Sequence, residues 1–281
     1  MVFEGAYHGG TLSFPPGGSP INVPFDFVMA PYNDLEGTKA VFDEHGDSLS
    51  AILVELIQGA GGCIPATDEF VALLRERATR HGAVLIFDEV MTSRLGPTGR
   101  QGALGITPDM TTLGKYVGGG MTIGAFGGRA DIMERYDPRA KGHFVHNGTF
   151  NNNVMTLAAG AAGLEKVFTP EVAAAHLKSG EAFRQRLNAL GPKHGVAFQA
   201  SGHSSLINIH FVDGEIRSVD DLAGRNLTAL DLFHLEMIAA GIYLTRRGYM
   251  ALSLALTDED HDAFIAASEN FLTTYRDLLA P

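Results

Sequence analysis

Residues 83–120, AVLIFDEVMTSRLGPTGRQGALGITPDMTTLGKYVGGG, decide how this chain is read. The run AVLIF at 83–87 is continuously apolar and stops at Asp88-Glu89, as expected of a strand covered on both faces. Thr111–Leu113 predicts another strand, and Lys115 comes directly after it among glycines at 114 and 118–120. A carboxylate and a lysine thus follow two neighbouring strands, 27 residues apart.

Working outward, AILVE at 51–55 predicts a third buried strand that again ends on a carboxylate, Glu55. Thr67 to His81 predicts a helix: Thr67 suits the cap, Asp68 and Glu69 suit the first turn, and Gly82 suits the stop. Ile123–Gly127 adds a further strand. Alternation of strands and helices predicts an α/β fold, with a mostly parallel sheet and helices on both faces. Ligands in such sheets sit at the carboxyl ends of strands. Glu55, Asp88 and Lys115 all fall there.

After about residue 165 the pattern changes. Pro170–Leu190, Val219–Ala240 and Thr257–Leu279 predict helices, the last with Thr257 and Asp260 as a capping box. Ser205–Val212 and Ile242–Leu254 predict strands. The expected organisation is a large domain over 1–165 and a smaller α+β domain over 166–281, divided within the helical stretch 152–168. Val2 and Phe3 read as the tail of a buried strand.

Composition excludes several classes. A formal net charge of -11 without a basic run argues against nucleic acid or an anionic membrane as partner. No stretch approaches the roughly 20 apolar residues of a membrane helix, and MVFEGAYHGG lacks the basic and apolar regions of a secretory leader. The lone Cys63 cannot form an internal disulfide, so a reducing cytoplasm is the expected location. No metal is expected.

A lysine that attacks an aldehyde must be a neutral amine in a partly dehydrated pocket. A ring nitrogen that is to stay protonated needs a carboxylate beside it. Lys115 and Asp88 supply these groups in the expected order. Each has an ordinary alternative, Asp88 as a helix cap and Lys115 as a solvated loop lysine.

GAYHGG at 5–10, LVELIQGAGG at 53–62, LIFDEVMTSR at 85–94, TTLGKYVGGG at 111–120 and NGTFNNN at 147–153 together resemble the class III aminotransferases, pyridoxal-phosphate enzymes of fold type I. Within that group PFDF at 24–27, PYND at 31–34, GTFNNNVMT at 148–156 and RRGY at 246–249 are most similar to the β-phenylalanine (β-amino-acid) aminotransferases. The resemblance implies pyridoxal 5'-phosphate as cofactor, bound covalently by Lys115, which then shuttles a proton. It implies that Asp88 pairs with the ring nitrogen, that Tyr7 and Val90 cover the two ring faces, and that Gln58, supported by Glu55, lies near the ring hydroxyl. His8 joins the cofactor pocket as a hydrogen-bonded structural histidine. Gly148 and Thr149 would reach the phosphate of a neighbouring subunit, making the protein a homodimer with shared sites. Arg247, or Arg246 beside it, would grip a substrate carboxylate.

The implied reaction is a ping-pong transfer of an amino group from an amine or amino acid to a 2-oxo acid or aldehyde. The alternatives are an aminomutase of the glutamate-1-semialdehyde kind and a non-catalytic protein that keeps the fold. Two departures stand out. Leu56 replaces the family's proline after Glu55. The family's N-terminal segment, with its phosphate-cradling loop, is absent, which is expected to leave a sheet edge open and the fold truncated. A naturally short enzyme compensating through Thr149 is the preferred expectation, ahead of a chain needing a second polypeptide or an inactive fragment.

Overall fold

The computed structural model describes residues 1–279. Its strands are β1 (Val2–Phe3), β2 (Met29–Ala30), β3 (Ala51–Glu55), β4 (Ile57–Gln58), β5 (Ile64–Pro65), β6 (Val84–Asp88), β7 (Met110–Gly114), β8 (Gly124–Gly128), β9 (Gln199–His203), β10 (Leu206–His210) and β11 (Tyr249–Ala251). The helices are α1 (Leu35–His45), α2 (Asp68–His81), α3 (Gly99–Leu104), α4 (Ala130–Met133), α5 (Val154–Ala162), α6 (Pro170–His194), α7 (Leu227–Ala239), α8 (Asp258–Thr274) and α9 (Arg276–Leu279). They form two compact units, one of residues 1–56 and 66–173, the other of 57–65 and 174 onward. The division thus falls in α6 rather than at 165, and a nine-residue excursion after Leu56 belongs to the second unit.

The first unit is built on a four-stranded sheet in the order β3-β6-β7-β8. β3, β6 and β7 run parallel, and β8 returns antiparallel to β7. The central strands are apolar because both faces are covered: Ile52, Val54, Leu85 and Phe87 are all fully buried. Helix α2 packs on β3 and β6. It starts where Thr67 Oγ1 accepts from Phe70 N and stops at Gly82, whose φ of 70° a residue with a Cβ adopts at a cost.

The edge of β3 is not bare. Leu53 N donates to the Met1 carbonyl at 3.0 Å, and the Met1 amine donates to the Ala51 carbonyl at 2.7 Å. β1 continues from there to pair in parallel with β2. The expected open edge is therefore corrected at this strand, since main-chain groups there already have partners.

The second unit contains the antiparallel sheet β11-β10-β9 and the hairpin β4–β5. Its core is aromatic: Phe233, fully buried, meets Phe198, Phe211 and Phe271 with ring centroids 5.1–5.8 Å apart, mostly edge to face. Two expectations need correction. Val219–Ala240 is not one helix: a short turn at Asp220–Leu222 precedes α7, which starts where Asn226 accepts from Ala229 N. The run 242–254 is a strand only over β11, because Gly248 turns it at φ 79° against the Ile209 carbonyl. Strand β9 was not anticipated. Its alternating pattern is weakened by Ser201 and Gly202.

The hairpin is latched to its unit through the Gly62 carbonyl. It accepts from Ser201 Oγ at 2.6 Å and His210 Nε2 at 3.0 Å. Burial pushes His210 down to about 4 from 6.5, so it is neutral in the folded protein at ordinary pH. The unfolded chain binds the extra proton between those two values. Stability contributed by neutral His210 is therefore complete above pH 6.5 and is lost as pH falls towards about 4. Urea unfolding of the protein should show a slope of up to ~1.4 kcal/mol per pH unit across that window, reduced in His210→Asn.

Candidate active site

The sheet register brings the first residues together. Glu55 on β3 lies opposite Asp88 on β6, and Asp88 lies opposite Thr112 on β7. Residues paired across parallel strands point to the same face. Three polar side chains thus stand in a row near the carboxyl ends of the strands.

Asp88 is 8% exposed and accepts three hydrogen bonds. His8 Nδ1 donates to Oδ2 at 2.7 Å, while Val90 N at 3.0 Å and Thr112 Oγ1 at 3.2 Å donate to Oδ1. Burial alone would raise its pKa. The His8 hydrogen bond and charge, the Val90 amide and the Thr112 hydroxyl outweigh burial and hold the carboxyl below the usual aspartate value. The neighbouring Glu89 is also buried, but it accepts from Arg100 N at 2.9 Å and Gln101 N at 2.8 Å instead. Burial pushes its carboxyl up. Glu89 lies one residue past β6 and receives the first amides of α3, whereas Asp88 receives His8, Val90 and Thr112, so the two adjacent acids serve different partners.

Lys115 follows β7 with φ of 53°, in the left-handed region that non-glycine residues rarely occupy. By surface area it is exposed, yet enough protein surrounds its amine that desolvation lowers its pKa from the ordinary lysine value. The Asp88 and Glu55 charges oppose that shift, so both carboxylates act on Nζ. Glu55 is buried and its Oε2 accepts from Tyr7 N at 2.8 Å. Its main-chain carbonyl accepts from Tyr32 Oη at 2.9 Å. The Tyr7 side chain is left 47% exposed. Val90 lies against Gly114, where a Cβ would come 3.3 Å from Val90 Cγ1.

The structure therefore assembles Lys115, Asp88, Glu55, His8, Val90 and Tyr7 around three strand ends. Thr112 is the member that sequence reasoning missed, although its place three residues before Lys115 on a neighbouring parallel strand was the available signal. Gly148 and Thr149 sit on an exposed loop, with no hydrogen bond to the Asp88 group among the described residues. Gln58, buried in the hairpin, and Arg247 belong to the second unit. There Arg246 is held by Asp231 in a two-pronged ion pair at 2.7 and 2.6 Å, whereas the Arg247 guanidinium lies over the Tyr249 ring at 5.3 Å.

Residues 1–272 match the family model for class III aminotransferases. The chain belongs to that family. Among its class III relatives, the β-phenylalanine transaminase of Variovorax paradoxus is 53% identical over 99% of this chain and 64% of its own. An uncharacterized aminotransferase of Schizosaccharomyces pombe is 42% identical over 94% of this chain and 60% of its own. A glutamate-1-semialdehyde 2,1-aminomutase of Bacillus pumilus is 34% identical over 98% and 67%. The solved β-phenylalanine aminotransferase from Variovorax paradoxus superposes with a TM-score of 0.97 over 99% of this chain and 65% of that one. An ω-transaminase from Sphaerobacter thermophilus, 30% identical, gives 0.86 over 98% and 68%. The fold-type I assignment stands on these. The chain spans slightly under two thirds of the length of the first two curated relatives.

Ionised Asp88 organises three donors, so Asp88→Asn should destabilise the cofactor-free protein by about 1–3 kcal/mol at pH 7. A carboxyl held below 3.8 contributes its stability above that value and loses it as pH falls through the folded pKa. The gap between wild type and Asp88→Asn in urea unfolding should accordingly shrink below about pH 4.

Proposed function

We propose that the chain transfers amino groups with pyridoxal 5'-phosphate, taking them from an amine or amino acid, a β-amino acid included, and giving them to a 2-oxo acid or aldehyde in a ping-pong cycle. The observation that carries this reading is Lys115 directly after β7, with Glu55 and Asp88 at the neighbouring parallel strand ends and Asp88 bonded by His8, Val90 and Thr112. Pyridoxal phosphate supplies, when bound, a protonated ring that takes up the electron pair released at a substrate carbon.

The residues fit that group. Asp88 stays charged in a buried place, which suits it to hold a proton on a ring nitrogen. His8 Nε2 is buried and without a partner among the described residues, so the pocket retains capacity for a further polar contact. Gly114 leaves space beside Val90, which forms one wall, and the exposed Tyr7 ring can form the other.

Lys115 has the central chemical role. Desolvation increases the fraction of neutral amine, so Nζ can accept a proton from a substrate carbon and return it to the neighbouring position. Glu55 steadies the Tyr7 main chain. Gln58 is assigned to the ring hydroxyl, and Gly148 with Thr149 to the phosphate of a second copy, which makes the working form a homodimer. Of the two arginines, Arg247 is favoured for the substrate carboxylate, because Asp231 already occupies the fork of Arg246. A cytoplasmic location accords with the single buried Cys63, and no helix among the described residues is long and apolar enough to cross a membrane.

The test is turnover with β-phenylalanine and a 2-oxo acid after loading with pyridoxal phosphate. Free oxo product is expected, which also separates amine transfer from an intramolecular aminomutase. Lys115→Ala should lower the rate roughly 10²–10⁴-fold. Arg247→Ala should raise KM for the amino acid while leaving an amine without a carboxylate little affected. Absence of oxo product from the loaded wild type would count against the proposal.

A further inference from the structure

The strained backbone of Lys115 raises the question of what holds it. A non-glycine residue at φ near 53° costs about 1–2 kcal/mol and persists only where its surroundings over-determine it. Lys115 opens a short turn, Lys115–Gly118, and helix α5 packs directly on that turn. The contact is main chain against main chain. A Cβ on Gly119, itself at φ 60°, would fall 2.2 Å from the Ala159 carbonyl oxygen. A Cβ on Gly160 would fall 2.4 Å from the Val117 carbonyl oxygen. Neither neighbour is a flexible side chain that can swing aside.

We propose that Gly119 and Gly160 are positioning residues for Lys115, locking the turn against α5 so that the lysine keeps its left-handed conformation at the end of β7, the strand paired with that of Asp88. The role of Lys115 itself rests on the function proposed above; the glycine contact adds to that reading a device that fixes the amine. Helix α5 starts at Asn153, whose side chain accepts from Met155 N and Thr156 N, directly after the loop carrying Gly148 and Thr149. The same helix therefore links the lysine turn to that loop along the chain.

Gly163 provides the internal control. It lies one turn further on, and a Cβ there would sit at an ordinary 3.5 Å from Gly119 Cα. Gly160→Ala and Gly163→Ala thus add the same methyl group to one segment, and only the first forces the turn away.

The experiment uses cofactor-free protein and competitive labelling with an amine-reactive ester, read at Lys115 by peptide mapping. Circular dichroism confirms that each variant is folded. Displacing the turn returns solvent to the amine, so Lys115 of Gly160→Ala should label about threefold more slowly at pH 8, the effect of a half-unit rise in pKa. Its Kd for pyridoxal phosphate should rise about tenfold. Gly163→Ala should match wild type in both. Asn153→Ala only frays the start of α5, with a cap loss of about 1 kcal/mol, and should move both quantities in the same direction by less. It serves as the second variant if Gly160→Ala does not fold.

Unchanged Lys115 labelling in a folded Gly160→Ala, or in Asn153→Ala where that variant stands in, would overturn the proposal. So would an equal change in Gly163→Ala. The function is tested separately by Lys115→Ala: if it binds pyridoxal phosphate as wild type does, the assignment of the lysine fails, while the labelling comparison still judges the glycine contact.

Discussion

The structure depends on keeping the Asp88 carboxylate ionised in a nearly dry place. A carboxyl group at that depth would ordinarily gain a proton, because removing its charge from water is costly. Here a histidine from the N-terminal segment, an amide two residues on and a hydroxyl from the next strand all donate to it. Two of these donors are distant in sequence, His8 by 80 residues and Thr112 by 24, so the N-terminal segment and β7 must both be in place for the charge to be tolerated. The segment 5–10, α/β strands and the loop after β6 are held together partly by this one group.

Lys115 meets the opposite requirement. Its amine is less basic than a free lysine although negative charges act on it. Desolvation and the pull of Asp88 and Glu55 oppose each other there, and desolvation is the larger effect. Glycine density around the turn has the same origin. Gly114 gives room to Val90, and Gly119 with Gly160 lets helix and turn touch main chain to main chain.

Much of the fold was legible in the sequence because caps, stops and buried runs are set by neighbouring residues. The cap at Thr67, the stop at Gly82, the buried runs at 51–55 and 83–87 and the capping box at Thr257 and Asp260 all appear where their residues imply. The Asp88–Lys115 pair was legible because strand ends in an α/β sheet are ligand sites. Other features depend on partners distant in sequence. Nothing in GAFGG at 124–128 distinguishes an antiparallel return from a parallel strand, and nothing in Ile57–Pro65 announces that the hairpin belongs with the second unit. The His8–Asp88 contact spans 80 residues, and the histidine could be called structural from sequence without its partner being known. The Arg246–Asp231 ion pair likewise joins residues that lie on separate elements of the sequence and meet only in the fold.

The central claim is that Lys115 is the residue that takes the cofactor. Its most direct measurement is borohydride reduction of the protein incubated with pyridoxal phosphate, followed by peptide mapping of the fixed label. The account predicts one label per chain, on the peptide containing Lys115. A label on another lysine, with Lys115 unmodified, would contradict it.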